Sequence, residues 1–190
     1  MPEVEYQTTM SVPPGKVWDF VKDMNNWAPF LTGYQKHEVL SEADSIWTLK
    51  GDVGILSRQV QLKAHVTEWN GPERVSFTLT GLNEQVDGDG TLVMAPIAEG
   101  APPVMPAKLD LFARFVRFLV RLMFRVVHGR SVEKAPVVKG PPQSSLSFRL
   151  RMDALGPTGP LVNAMLGPAL LPAAEDLANK IAAHLERTQP

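Results

Sequence analysis

The chain has 190 residues, of which 44% are hydrophobic and 21% charged, with a formal net charge of −1. This balance indicates one ordinary globular domain and lacks the basic excess typical of nucleic-acid-binding proteins, so we expect no nucleic-acid partner. The absence of cysteine excludes disulfides, thiolate catalysis and cysteine-ligated metal centres. The opening residues, MPEVEYQTTM, lack the basic and apolar regions of a signal peptide, so we expect a cytoplasmic protein.

The N-terminal part is predicted to form one strand and two short helices. Apolar side chains alternate along residues 4–12, which is the period of a strand with one buried face, until two prolines and a glycine end it. Apolar residues then recur at helical spacing over 16–23. A second short helical turn over 25–31 carries Trp27 and Phe30.

A meander of antiparallel strands follows. The predicted strands are 35–40, 45–51, 58–69, 74–80 and 90–95. Their separators, SEAD, GDVG, NGPE and DGDG, are rich in turn residues, so DGDG at 87–90 is predicted to be a hairpin turn without a metal or phosphate. Alternation is clearest in 58–69 and 74–80, which predicts one apolar and one polar face.

An insert interrupts the meander at residues 99–142. Within the insert, prolines lie on both sides of the stretch FARFVRFLVRLMFRVV, residues 112–127. Strand-like alternation resumes at 144–152, which we predict to be the delayed partner of 90–95. Connections between paired strands tolerate insertions well, so the insert is placed between the last two strands.

A long helix is predicted to close the chain. Apolar residues recur at helical spacing from Leu161 to Arg187, and Gly167, Pro168 and Pro172 should kink or split its first half.

The order β-α-α-β-β-β-β-β-β-α resembles the START/Bet v 1-like (SRPBCC) superfamily, and within it the CoxG-like branch, which takes its name from a protein of the carbon-monoxide-dehydrogenase system. The likeness is carried by YQTTMSVPPGKVWDFVKDMNNWAPFLTG at 6–33, VTEWNGPERVSFTLTG at 66–81, DGDGTLVM at 87–94 and MLGPALLPAAEDLANKIAAHLE at 165–186. The resemblance implies an α+β helix-grip fold: a curved antiparallel sheet wrapped around the C-terminal helix, with residues 1–190 as one domain and the helical insert between the last two strands.

Members of this superfamily mostly bind hydrophobic small molecules between the sheet and the helix, so the resemblance implies a ligand such as a quinone, lipid or isoprenoid. If the topology holds, the ligand-binding residues are Trp27, Phe30, Trp47, Leu62, Phe77, Phe148, Met165 and Leu170. Gln61, His65 and Asn163 are considered as polar anchors, although solvent-facing positions are the commoner outcome. A solid core without a cavity is the structural alternative for the apolar residues.

Catalytic and metal sites find little support in the sequence. The four histidines, at 37, 65, 128 and 184, have no metal-ligand spacing, and no serine lies in a nucleophile motif. We expect no catalytic residue, no metal and no cofactor, and a binding and delivery protein rather than an enzyme. The alternatives are an enzyme of the polyketide cyclase or aromatase type, and a membrane-recruiting adaptor with a filled core.

The insert is predicted to contain a basic amphipathic helix over about 106–128. At about 100° per residue its arginines fall within a band roughly 80° wide. A transmembrane position is disfavoured, because each central arginine costs about 2.5–3.5 kcal/mol while each large apolar residue gains about 0.3–0.6 kcal/mol. The predicted contact residues are Phe112, Arg114, Phe115, Arg117, Phe118, Arg121, Leu122, Phe124 and Arg125.

Three roles for this helix stay open. In the favoured interpretation, the helix lies in the membrane interface, and the protein is then peripheral on the inner face of the membrane. Alternatively it packs against a partner protein or a second copy of the chain, giving a homo-oligomer, or it covers the cavity of its own domain.

Deleting residues 104–130 tests the membrane role. We expect the shortened protein to lose its association with liposomes of mixed anionic lipid while keeping its folded circular-dichroism spectrum, because the anchor is an insert in a hairpin connection. Unchanged flotation with these liposomes would contradict the membrane role.

Overall fold

The computed structural model describes residues 1–53, 56–97 and 141–188. These residues form an antiparallel sheet and a long C-terminal helix, with two short helices and a 3₁₀ turn between the first two strands. The strands are β1 (Glu3–Met10), β2 (Tyr34–Val39), β3 (Asp44–Val53), β4 (Leu56–Asn70), β5 (Arg74–Gly81), β6 (Val86–Pro96) and β7 (Ser144–Ala154). The helices are α1 (Pro14–Val21), α2 (Met24–Trp27) and α3 (Gly159–Thr188), and the 3₁₀ turn is Ala28–Phe30.

Over the described residues the strands make one seven-stranded antiparallel sheet in the order β1-β7-β6-β5-β4-β3-β2. The two ends of the chain meet where β1 pairs with β7, from Glu3 opposite Arg151 to Met10 opposite Ser144. Strand β6 pairs with β7 up to Pro96 opposite Ser144, which confirms the predicted pairing across the insert. The curved antiparallel sheet with its C-terminal helix confirms the predicted α+β fold.

The short helices are tied to each other by local hydrogen bonds. Pro14 begins α1, where its fixed φ suits the first helical turn and its missing N–H removes no helical bond. The Asp23 side chain caps α2 by accepting from the Asn25 N–H at 3.0 Å. Trp27 Nε1 donates to the Val21 carbonyl at 2.9 Å. These contacts fix the position of Trp27 over the sheet.

The core lies where α3 packs against β1 and β7. One cluster joins Met10, Leu146, Ile181 and Leu185 to apolar residues of α1. A second cluster, around Val4, Leu170 and Ala174, fills the space beside the first half of α3. Burial of a large apolar side chain is worth about 1.5–3 kcal/mol, so these contacts hold α3 on this side of the sheet.

The prediction of a DGDG hairpin turn is wrong. Strand β6 begins at Val86 and includes all four residues, and the β5–β6 connection is residues 82–85. The physical reason is close packing over glycine: a Cβ atom on Gly90 would lie 2.3 Å from Cζ of Phe77. Glycine lets the Phe77 ring lie across the neighbouring strand.

Of the predicted kink or split of the C-terminal helix, the split is wrong, and the kink stays a prediction. Pro168 and Pro172 lie inside one continuous helix, α3. Each proline removes a helical hydrogen bond, but Leu170 and Ala174 are buried against β1 on the same stretch. Tertiary packing therefore outweighs the local cost.

Substitution of Gly90 by alanine tests this packing. We expect Gly90→Ala to lower the free energy of unfolding by about 1–3 kcal/mol in urea titrations, because the methyl group overpacks the Phe77 ring. Phe77→Leu in the same chain should recover part of the loss. Gly15→Ala is the control, since nothing lies within 4 Å of its Cβ position, and it should be neutral or slightly stabilising. Equal effects at both glycines would contradict the proposed contact.

Candidate functional site

The inner face of the sheet is the face on which α3 packs, and the register identifies its residues. Val66 lies opposite Phe77, and Phe77 opposite Gly90. The same row continues through Leu150 to Val4, which packs against α3. The apolar faces predicted for β4 and β5 are therefore the inner face.

The middle of this face is apolar but incompletely covered. Helix α3 packs mainly against β1 and β7, at one side of the sheet. Six inward side chains of the middle strands are half-buried: Ala64, Val66, Val75, Phe77, Leu79 and Leu92. On the same face, Leu62 of β4 and Met94 of β6 are buried. We call the space between the six half-buried side chains and α3 the chamber. Its wall is lined by apolar side chains, which is typical of a binding site for an apolar ligand.

The predicted ligand-binding residues are distributed over the sheet, the short helical segments and α3 rather than gathered at one point. Phe77 lies in the chamber wall. The others lie in or beside packed regions: Phe148 and Leu170 in the second core cluster, Trp27 and Phe30 against the first, and Trp47 and Leu62 buried opposite each other. Met165 is part of α3, but its side chain is outside the described set. Their role in binding stays a prediction.

An aromatic stack, formed by Trp27, Tyr34, His37 and Trp47, borders the chamber at β2 and β3. The ring centroids of Trp27 and Trp47 are 5.4 Å apart, and those of His37 and Trp47 are 4.8 Å apart, with the rings stacked in both pairs. The hydroxyl of Tyr34 lies 2.9 Å from Nδ1 of His37. The sequence shows no metal spacing or carboxylate partner near His37, so its pairing with Tyr34 is visible only in the folded chain.

A second aromatic pair lies at the end of the sheet where β6 ends and β7 begins. Trp69 lies opposite Val75 near the β4–β5 turn and is 52% exposed. The Trp18 ring of α1 meets it edge to face, with centroids 5.3 Å apart. The same turn reaches the end of β6, where the Met94 N–H donates to the Glu73 carbonyl at 2.8 Å. This rim therefore lies beside the point where the insert leaves the sheet.

Polar side chains also reach the interior, from α3 and β1. We call Tyr6, Thr8, Glu175 and Asn179 the interior polar set. The Tyr6 hydroxyl donates to Oδ1 of Asn179 at 3.1 Å. Asn179 is 0% exposed and Glu175 and Thr8 are each 5% exposed. The sequence analysis missed this set, although Glu175 and Asn179 interrupt the apolar spacing of the helix one turn apart.

A helix clamp, formed by Thr32, Asp176 and Lys180, joins α3 to the segment after the 3₁₀ turn. Asp176 accepts hydrogen bonds from Lys180 Nζ at 2.5 Å and from Thr32 Oγ1 at 3.1 Å. Lys180 also donates to the Phe30 carbonyl at 3.3 Å. The clamp fixes α3 over the sheet on the side opposite β1.

The residues considered as polar anchors have other partners. His65 is exposed on the outer face and bonds Asp44 at 3.1 Å. Hydrogen bonds from Lys63 and then His65 lower the pKa of Asp44 below its ordinary value. Asn163 joins α3 to the end of β7, where its Oδ1 accepts from the Ala154 N–H at 2.8 Å. Gln61 lies opposite Thr48, on the same face as His65.

The predicted membrane or partner residues, from Phe112 to Arg125, lie outside the described residues. Across residues 1–53, 56–97 and 141–188, no helix combines the length and apolarity needed to cross a membrane. Within the same ranges, no group of three or more histidine, aspartate and glutamate side chains is placed to hold a metal ion.

The family described as polyketide cyclase / dehydrase and lipid transport matches residues 1–135. The chain belongs to this family. The match ends before β7 and α3, so the structure supplies the C-terminal part of the fold. The family includes both enzymes and binding proteins, and membership of it suggests that the chain binds a hydrophobic ligand. The comparison with curated proteins gives no sequence match.

Solved structures show the same fold at low sequence identity. TTHA0849 from Thermus thermophilus has a TM-score of 0.60 at 14% identity, covering 100% of both chains. Ms6760 from Mycobacterium smegmatis has a TM-score of 0.54 at 9% identity, covering 98% of this chain and 92% of the other. A conserved protein from Geobacillus kaustophilus has a TM-score of 0.53 at 12% identity, covering 95% and 93%. The superfamily resemblance is thereby confirmed for the fold, and the CoxG-like branch stays a prediction.

Removing the lysine of the helix clamp tests how α3 is held. We expect Lys180→Met to lower the free energy of unfolding by about 1–3 kcal/mol, because it leaves the buried Asp176 with one cation fewer. Adding Asp176→Asn should recover most of this loss. The matched control is Lys22→Met, whose pair with Asp19 is exposed and should matter by about 0.5 kcal/mol or less. Equal losses for the two lysines in urea titrations would contradict the clamp.

Proposed function

We propose that the protein binds one hydrophobic small molecule in the chamber and delivers it without changing it chemically. The observation that carries the proposal is the row of half-buried apolar side chains on β4, β5 and β6. Apolar residues on the inner face of a sheet are normally covered by the packed helix, and here α3 lies over β1 and β7 instead. A bound apolar molecule would remove this surface from water at a gain of about 25 cal/mol per Å².

We further propose that the ligand is a quinone, a lipid or an isoprenoid-like molecule, in keeping with the CoxG-like resemblance. In this proposal the insert helix brings the protein to a membrane surface or to a partner protein, and residues 1–190 act as one domain. Two features support it. The basic amphipathic pattern of residues 112–127 suits an interfacial helix. The exposed Trp69 and its neighbour Trp18 lie where the insert leaves the sheet, at the rim that a ligand would cross.

A second candidate function is a cyclase or aromatase type of enzyme. The hydrogen bond between Tyr34 and His37 favours it, because an oriented imidazole beside an apolar chamber is a suitable general acid or base. The carrier ranks first because both rings contact Trp47 within the aromatic stack, which already gives them a packing role. Turnover separates the two: incubating the protein with its co-purified ligand should leave the ligand mass unchanged, whereas loss of water from the ligand would favour the enzyme.

Filling the chamber tests ligand binding. Leu79→Trp adds a large side chain to the chamber wall, and we expect it to weaken binding of decylubiquinone at least about tenfold in isothermal titration calorimetry, which corresponds to about 1.4 kcal/mol. The matched control is Thr78→Trp, which places the same side chain on the exposed outer face and should leave binding unchanged.

Native mass spectrometry of the purified protein gives an independent readout. A co-purifying apolar molecule, reduced in Leu79→Trp, supports the carrier. A bare protein that also fails to bind the quinone would contradict it and favour the adaptor with a filled core.

A further inference from the structure

The apolar inner surface of the sheet continues from the chamber to β2. Going back along β4 from Ala64, the next inward side chain is Leu62, which is buried, and the one after it is Val60, which is half-buried. Val60 lies opposite Leu49 of β3, which is also half-buried. Leu49 in turn lies opposite Tyr34, the first residue of β2. A ligand on the chamber wall can therefore extend over apolar side chains as far as Tyr34.

Tyr34 and His37 form a polar pair at the β2 end of this surface. His37 lies opposite Trp47 on the inner face, and the two rings stack with their centroids 4.8 Å apart. Tyr34 and His37 are both half-buried, so part of each side chain remains accessible. Helix α3 is held nearby, since its Asp176 accepts a hydrogen bond from Thr32, two residues before Tyr34. The pair therefore lies on the inner side of the sheet and is not closed off by packing.

The hydrogen bond between the two side chains leaves one polar proton over. A tyrosine hydroxyl carries one proton and a neutral imidazole carries one ring proton, so the pair has two. The 2.9 Å bond between the Tyr34 hydroxyl and Nδ1 of His37 uses one of them, whichever group donates. In the part of the chain that the structure describes, neither side chain makes another hydrogen bond. One donor is therefore left for another molecule, either the Tyr34 hydroxyl or Nε2–H of His37, and a charged imidazolium would only add a further proton.

We propose that the Tyr34–His37 pair donates a hydrogen bond to a carbonyl oxygen of the ligand, which selects molecules that carry a ketone or quinone group at the end lying on β2. This inference rests on the proposed chamber function and assigns its specificity. A ligand that covers the pair excludes water from the remaining proton, and a donor buried without a partner is costly. A carbonyl oxygen replaces the lost water, whereas a hydrocarbon end does not. The apolar part of the ligand then lies on Leu49 and Val60 and reaches the chamber wall.

Two probes of the same shape test the assignment in calorimetric titrations of the full chain: 2-nonanone, and 2-methyl-1-nonene, in which a methylene group replaces the carbonyl oxygen. Each single variant leaves one donor in place, so the decisive change is the double variant Tyr34→Phe/His37→Phe, which keeps both rings and removes both donors. We expect it to weaken 2-nonanone about threefold to tenfold and to change the affinity for 2-methyl-1-nonene by less than about twofold. His65→Phe is the control, because His65 is exposed on the outer face, and it should change neither affinity.

Nitrogen-15 NMR of the histidine rings keeps the test decisive if the double variant unfolds, because it uses the wild-type chain. The ring nitrogens of His37 should shift when 2-nonanone is added and stay in place with 2-methyl-1-nonene, while those of His65 respond to neither. Equal weakening of both probes by the double variant, or a His37 ring that responds equally to both, would overturn the assignment and leave the chamber standing. Failure of the wild-type chain to bind either probe or decylubiquinone would overturn the proposed function itself.

Discussion

The packing of α3 against β1 and β7 is the contact on which the rest of the structure depends. It draws the helix to one side of the sheet, where Met10, Leu146 and Leu185 are fully or almost fully buried. A helix placed over the centre would cover β4, β5 and β6 and leave no room for a ligand. The same contact therefore stabilises the fold and leaves uncovered the surface on which we propose that a ligand binds, while the helix clamp fixes the other side of α3.

Much of the fold follows from the period of apolar residues. The alternation in β4 and β5 predicts both the strands and the inner face, because a sheet with one buried face needs apolar side chains at every second position. Local reasoning fails where distant packing decides. Glycines at 88 and 90 are typical of a turn, but Gly90 lies in a strand because the Phe77 ring packs directly over it. Pro168 and Pro172 are likewise typical of a helix break, but contacts between α3 and the sheet hold them within the helix.

The polar features of the site are harder to obtain from the sequence than its apolar wall. Tyr6 and Asn179 are separated by 173 positions, and the Tyr34–His37 pair acquires its surroundings through Trp47 on another strand. No short motif records the first arrangement, since it depends on how α3 packs on β1, and the second depends on the pairing of β2 with β3. One signal was available: Glu175 and Asn179 occupy buried positions of an otherwise apolar helix face, where polar residues are uncommon without a partner or a function.

The pairing of β1 with β7 also sets how the protein must be made. Glu3 and Arg151, which lie opposite each other, are 148 positions apart by subtraction of their numbers. Contacts between residues so distant in sequence form slowly, because a long loop must close before they contribute. During synthesis strands β2 to β6 are made before α3, so the nascent chain exposes their apolar inner face to water. The surface proposed to bind a ligand is thus the one that is exposed to nascent-chain chaperones during synthesis.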